Sequence, residues 1–211
     1  MRKIAIFCTN SQFKQNEYTS RVLDWRADLD FCTDADFYNI VDGNLSADNL
    51  GKLSEAGLYT IQISPWLGRL SSDDFRGWKR SYGSALGYLN SLYEYIIHIE
   101  NDAKIVNKEK FLEYSTKQGM YSGWLQEDDY PESAFQILNN KSAVKTIADI
   151  YSRRSGYEDR SCVERRLASL KIFQYPFKVY RCSGRKPING FDVLTNCRGY
   201  FPPKDTLKPR C

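Results

Sequence analysis

Over its first hundred residues the chain alternates short apolar runs with amphipathic stretches, and this alternation restricts the fold more than any other feature. "KIAIFCT" (3–9) predicts a buried strand. Residues 12–26 place Phe13, Tyr18, Val22 and Trp25 at helical spacing. "DFYNIVD" (36–42) predicts a second strand, closed by the turn signal Asp42-Gly43-Asn44. "SADNLGKLSEAG" (46–57) predicts a short helix capped by Ser46 and stopped at Gly57, and "YTIQISPW" (59–66) a third strand ended by Pro65. The longest helix follows at about 72–94. Ser72 suits its cap and Asp73 and Asp74 its positive end, while Phe75, Trp78, Tyr82, Ala85, Leu86 and Leu89 form one stripe. "YEYIIHIE" (93–100) predicts a fourth strand. The order βαβαβαβ implies an α/β fold, with a mainly parallel central sheet flanked by helices in the Rossmann-like manner.

The second half is less regular. Helices are predicted at 107–119, 141–154 and 157–171, and strands at 120–126 and 177–181. From Cys182 on, Gly, Pro and Asn dominate, which predicts a loosely structured tail. A length of 211 residues suits a single domain, 1–211, with halves 1–105 and 106–181 and an irregular tail 182–211. The chain stops after "DTLKPRC" without a closing element, as a piece cut from a longer polypeptide would, although a natural terminus reads the same way.

Composition removes several classes. Six cysteines lie at 8, 32, 162, 182, 197 and 211 with no CxxC pair, and His98 is the only histidine, so a zinc cluster is excluded. Cys8 reads as a small core residue, and Cys182 with Cys197 could bridge. No apolar stretch reaches 18 residues and the first apolar run is too short for a signal peptide, so the expectation is a cytoplasmic protein without a membrane span. Neither GxGxxG nor GxxxxGK occurs, which argues against redox dinucleotides and P-loop chemistry. A net charge of +4 is too small for a dedicated nucleic-acid binder, although basic residues gather between Arg153 and Lys186.

Every strand of the first half ends in polar residues: Thr9 and Asn10, then Asp42 and Asn44, then Glu100, Asn101 and Asp102. In parallel strands these ends share one edge, where α/β folds bind ligands. If the fourth strand continues, Glu100 and Asp102 point to the same side. Two such carboxylates repel, and burying them unpaired costs several kcal/mol, roughly, unless a hard divalent cation joins them. The bland alternative is a strand that ends in a solvated acidic turn.

Three segments carry a resemblance: "VDGN" (41–44), "GWKRSYGSALGYLNSLYEYIIHIENDA" (77–103) and "GYEDRSCVERRL" (156–167). Together they resemble the GT-A class of nucleotide-sugar glycosyltransferases. The resemblance implies Mn²⁺ (or Mg²⁺), a UDP-sugar donor of the glucose or rhamnose kind, and a glycan or glycoprotein acceptor. Size and segment order are similar to domains that decorate viral capsid proteins, which would place the chain in a host cytoplasm. Asp102 matches the second acid of the family's DxD motif and is implied to hold the metal. Glu100 replaces the first, and would reach the metal through water or contact the ribose. Thr9, Asn10 and Asp42 are implied to meet uracil and ribose, and Arg76, Lys79 and Arg80 the phosphates or sugar. Glu158 or Asp159 would face the acceptor as base, with Asp128 competing for that part.

Besides Glu100 in place of the first acid, one further departure stands out. No histidine follows His98, so the third metal ligand is a carboxylate such as Asp192, or water. His98 itself reads as a core residue. Two other functions compete with transfer. A sugar nucleotidyltransferase would carry a Gly- and Arg-rich loop after the first strand, which "CTNSQFKQ" lacks. A non-catalytic basic module for RNA or an anionic surface is motivated by the Arg153–Lys186 cluster alone.

Overall fold

The first four predicted strands form, and all run parallel. The structure, a computed structural model, describes residues 3–68, 75–125, 130–159, 163–182 and 190–195. Its elements begin β1 (Ile4–Ser11), α1 (Gln15–Asp28), β2 (Ala35–Asp42), α2 (Ala47–Glu55), β3 (Leu58–Ile63), α3 (Arg76–Leu92) and β4 (Tyr95–Ile99). β1 pairs in parallel with β2 and β4, and β2 with β3. The order β3-β2-β1-β4 means that the chain builds outward from β1 in one direction and then crosses to its other side. That reversal between β1 and β4 fixes where a ligand crevice can open.

Alternating side chains of the strands feed two separate cores. Ile6 and Cys8 face Val22 and Trp25 of α1, Leu53 of α2, and Phe111. Ala5 and Phe7 face the opposite layer, with Tyr82, Leu86 and Leu89 of α3 and Val144 and Ile147. β2 is buried over its whole length, as expected of a parallel strand covered on both sides. The predicted cap of α2 is present: Ser46 Oγ accepts from the Asn49 N–H at 3.4 Å. Ser72, Asp73 and Asp74 lie outside the described residues. In α1 the buried stripe is Thr19, Val22 and Trp25, whereas Phe13 precedes the helix and is 51% exposed.

The rest of the chain adds β5 (Lys104–Ile105), α4 (Lys108–Ser115), β6 (Gly119–Leu125), β7 (Tyr130–Asn139), α5 (Lys141–Ser152), α6 (Arg154–Tyr157), α7 (Val163–Ser169), β8 (Gln174–Arg181) and β9 (Val193–Thr195). β7 inserts antiparallel between β4 and β6, so the sheet is mostly but not wholly parallel. Of the predicted helix at 157–171, α7 forms over Val163–Ser169, whereas α6 ends at Tyr157 and residues 160–162 lie outside the described residues. The predicted irregular tail contains an ordered strand, because β9 pairs in parallel with β8 and antiparallel with β5.

Candidate active site at the strand switch

The carboxyl ends of β1 and β4 meet at the order reversal, and a side-chain bond crosses the seam. Thr9 Oγ1 donates to Glu100 Oε1 at 2.6 Å. Trp78 of α3 donates its Nε1 to the same oxygen, and His98 Nε2 lies 3.0 Å from it. The His98 ring is fully buried, between Phe7 and Tyr82 at 4.8 and 5.0 Å, with Trp78 at 5.7 Å. Its other nitrogen faces the Ser133 carbonyl at 3.1 Å. His98 is therefore the satisfied core residue expected, and it also helps to fix Glu100.

The fourth strand, predicted over 93–100, does not continue through Asp102. The strand ends at Ile99, and Glu100 opens a tight turn closed by the Ala103 N–H on the Glu100 carbonyl at 2.9 Å. Asn101 pins that turn to the end of β1 by donating to the Thr9 carbonyl at 3.4 Å. Glu100 is thus met by Thr9, Trp78 and His98 on one oxygen. Asp102 sits half-buried beyond it. Burial first, then the charges of Glu100 and Glu132, push its carboxyl up to about 7, against the pull of Arg21 and Arg181.

Glu132 comes from β7, in a stretch that the sequence reading left without a strand. It is 2% exposed. Its Oε1 accepts from the Ala134 N–H at 2.9 Å. Its Oε2 accepts from Thr195 Oγ1 at 2.9 Å and from Arg181 at 3.3 Å. Next to it, Ser133 Oγ donates to Glu164 Oε1 of α7 at 2.7 Å. Glu132, Ser133, Glu164 and Arg181 were all missed. The available signal was "PESAFQIL", in which polar residues interrupt an otherwise strand-like run.

The predicted donor-binding residues divide into two groups. Thr9 and Asn10 lie at the switch. Asn10 Oδ1 accepts from the Ser11 N–H at 2.8 Å, while its Nδ2 is buried without a partner among the described residues. Asp42 and Arg80 instead bond each other at 2.5 Å. Asp42 is only 3% exposed and also accepts from the N–H groups of Leu67 and Gly68 at 3.2 and 3.1 Å. Arg80 further donates to the carbonyls of Ile63 and Pro65. The pair ties α3 to the loop after β3, which carries Trp66 with its Nε1 on Ser11 Oγ at 3.1 Å. Lys79 is buried and donates to the Asp159 carbonyl. Arg76 is half-buried at the first residue of α3.

Of the predicted acceptor-side acids, Glu158 is exposed and paired with Arg154 at 3.0 Å, and the Asp159 carboxylate is paired with Arg166. Asp128 lies outside the described residues. Asp192, offered as a third metal ligand, accepts from Lys110 Nζ, Asn107 Nδ2 and the Lys178 N–H at 2.8, 2.9 and 2.8 Å. Those bonds join α4, β8 and β9, and they occupy its carboxylate structurally. No group of three or more His, Cys, Asp or Glu side chains is placed to hold a metal among the described residues. The turn itself offers only hard oxygen donors. A carboxylate raised by burial and then by two like charges suits an Mg²⁺- or Mn²⁺-like ion that would take its other ligands from phosphate and water. No described helix is long and apolar enough to cross a membrane.

No family model matches the chain, and no curated protein matches it. The likeness is in three dimensions. The structure matches the galactosyltransferase LgtC, solved with donor and acceptor sugar analogues, at TM-score 0.59 and 11% identity, over 92% of this chain and 87% of that one. An active-site mutant of LgtC gives TM-score 0.62 at 10% identity, over 93% and 88%. A glycosyltransferase involved in glycosylation of the major capsid of PBCV-1 gives 0.53 at 11%, over 93% and 95%. These likenesses establish the GT-A fold, and the structures that share it here are glycosyltransferases.

Proposed function

We propose that the chain is a metal-dependent glycosyltransferase, moving a hexose or deoxyhexose of the glucose or rhamnose type from a UDP-sugar to a hydroxyl of a glycan or glycoprotein. The observation that carries this reading is Asp102. It is a half-buried carboxylate at the switch point of a GT-A sheet, beside Glu100 and next to the donor-rich end of β1. The likeness to the PBCV-1 capsid enzyme supports a viral capsid protein as acceptor.

In this reading Asp102, with Glu100, holds Mn²⁺ or Mg²⁺. The bound ion supplies positive charge to the diphosphate as it leaves. Thr9, Trp78 and His98 hold Glu100 in place, and Asn101 sets the turn against β1. The partnerless Asn10 Nδ2 is a ready donor to a uracil or ribose oxygen. Asp42 and Arg80 act indirectly, holding the loop that carries Trp66 over Ser11. Arg76 faces the phosphates.

The test is UDP release from UDP-glucose, UDP-galactose and UDP-rhamnose with Mn²⁺ and with EDTA. We expect turnover of at least one donor with Mn²⁺, its loss in EDTA, and its loss in Asp102→Ala with the circular dichroism spectrum unchanged. Turnover that survives EDTA, or full activity in Asp102→Ala, would contradict the proposal.

A further inference from the structure

Trp66 stands in the loop after β3 and is 42% exposed, yet it is held at several points. Its Nε1 donates to Ser11 Oγ at 3.1 Å, and the same oxygen accepts from the Phe13 N–H at 3.3 Å. Gly68 lies against the ring: a Cβ there would meet Cζ2 and Cε2 of Trp66 at 3.1 and 3.2 Å, and its φ of +69° suits glycine. The loop is anchored on both sides of the indole. Ser64 Oγ donates to Asn44 Oδ1 at 2.8 Å, and the N–H groups of Leu67 and Gly68 donate to Asp42. Fixing a large ring in water costs side-chain freedom and gains no burial, so a ring fixed in advance favours a ligand that covers it.

The place of that ring in the fold says which ligand. Thr9 and Ser11 are alternate residues of β1, so their side chains project to the same face of the sheet, about 7 Å apart. That face is the α3 side, where Phe7 packs on α3 and Thr9 Oγ1 holds Glu100 beside Trp78. The indole is therefore anchored two strand residues beyond the residue that holds the acidic turn, at the same strand switch. A ribose and its linkage span a separation of that order between a base and its diphosphate. Every nucleobase has a π-face that stacks on an aromatic side chain.

We propose that Trp66 is the stacking platform for the base of the nucleotide donor, a role that rests on the transferase reading above. The base lies flat on the exposed part of the indole, its ribose runs along the end of β1, and its diphosphate reaches the ion at Asp102. Ser11 and Gly68 position the ring, and Asp42 positions the loop. Stacking reads the face of a base and not its edge, so Trp66 supplies affinity and leaves the choice of uracil to edge-reading groups.

The test is calorimetric titration of UDP, and separately of inorganic pyrophosphate, in Mn²⁺, with wild type, Trp66→Ala and Trp66→Phe. Pyrophosphate carries the charges without the base. We expect Trp66→Ala to weaken UDP binding about tenfold or more, the range of one lost base–aromatic stack, and to change pyrophosphate binding by less than about twofold. Trp66→Phe, which keeps a ring, should fall between Trp66→Ala and wild type for UDP. Unchanged UDP affinity in Trp66→Ala overturns the platform and leaves the transferase reading standing. Equal weakening of UDP and pyrophosphate makes Trp66 a support of the loop and overturns the platform too, as does a Trp66→Phe variant that binds UDP no better than Trp66→Ala. A wild type that binds no UDP in Mn²⁺ overturns the transferase reading, and this inference with it.

Discussion

Gly77 shows how much the site depends on one missing side chain. A Cβ at this position would run into the Asp42 carboxylate. The absence of a side chain lets the start of α3 press against the end of β2, where Arg80 can reach Asp42, Ile63 and Pro65 together. Gly77→Ala should force that pair apart and cost about 1–3 kcal/mol, the usual penalty of overpacking. The measurement is a urea titration, and a lower midpoint at unchanged slope is the expected result. Glu132 presents the opposite problem. Glu132→Ala would remove the buried carboxylate that the half-buried Arg181 and Thr195 Oγ1 both reach. Losing one member of a largely buried charge pair costs up to about 3–5 kcal/mol, so we expect a fall in thermal midpoint, with Glu132→Gln intermediate.

Residues at this scale were legible in the sequence only where the chemistry is local. Ser46 was readable as a cap because its partner lies three residues on. Asp42 was readable as a strand-end acid, but not as a buried one, because Arg80 reaches it from 38 residues away. The fixing of Glu100 by Thr9 and Trp78 is equally non-local.

Among elements, the joint between α4, β8 and β9 has a pH signature. Burial alone would raise the Asp192 carboxyl. The bonds from Lys110, the Lys178 backbone and Asn107 outweigh it and hold the carboxyl below its ordinary 3.8. A depressed carboxyl stabilises the fold at pH above 3.8, and that contribution is lost as the pH falls through the lower folded-state value. Asp192→Asn should therefore melt below wild type at pH 7, by roughly the 1.5–3 kcal/mol of a hydrogen bond to a charged group. The gap should close as both proteins are acidified below 3.8. A gap that stays constant over that range would show that the carboxylate charge is not what holds the joint.

β7 was illegible for an instructive reason. A strand between β4 and β6 should read as apolar, yet this one carries Glu132, Ser133 and Gln136. Each is satisfied by a partner distant in sequence: Arg181 and Thr195, Glu164, and Tyr82. Of the polar side chains that hide the strand, Glu132 lies near enough to Asp102 for its charge to raise that carboxyl. β9 was hidden differently, since three residues in a Gly- and Asn-rich stretch show no period, and only the edges of β8 and β5 define it.

For the whole molecule, the alternation of the first hundred residues was enough to give four parallel strands, helices on both faces and a ligand edge at their carboxyl ends. The reversal at β1 and β4 was not readable, because strand order depends on which neighbours β7 and β6 supply. Asp102 lies at that reversal, and in the proposed function it holds the ion that meets the diphosphate. The most direct test is the thermal shift produced by UDP with and without Mn²⁺, in wild type and Asp102→Asn. At a ligand concentration of about a hundred times its Kd, binding adds about 2.7 kcal/mol. That corresponds to roughly 5–10 °C for a chain of this size. We predict such a shift in wild type only when UDP and Mn²⁺ are present together, and none in Asp102→Asn. A wild-type shift by UDP that is indifferent to Mn²⁺, or one that Asp102→Asn retains in full, would contradict the account.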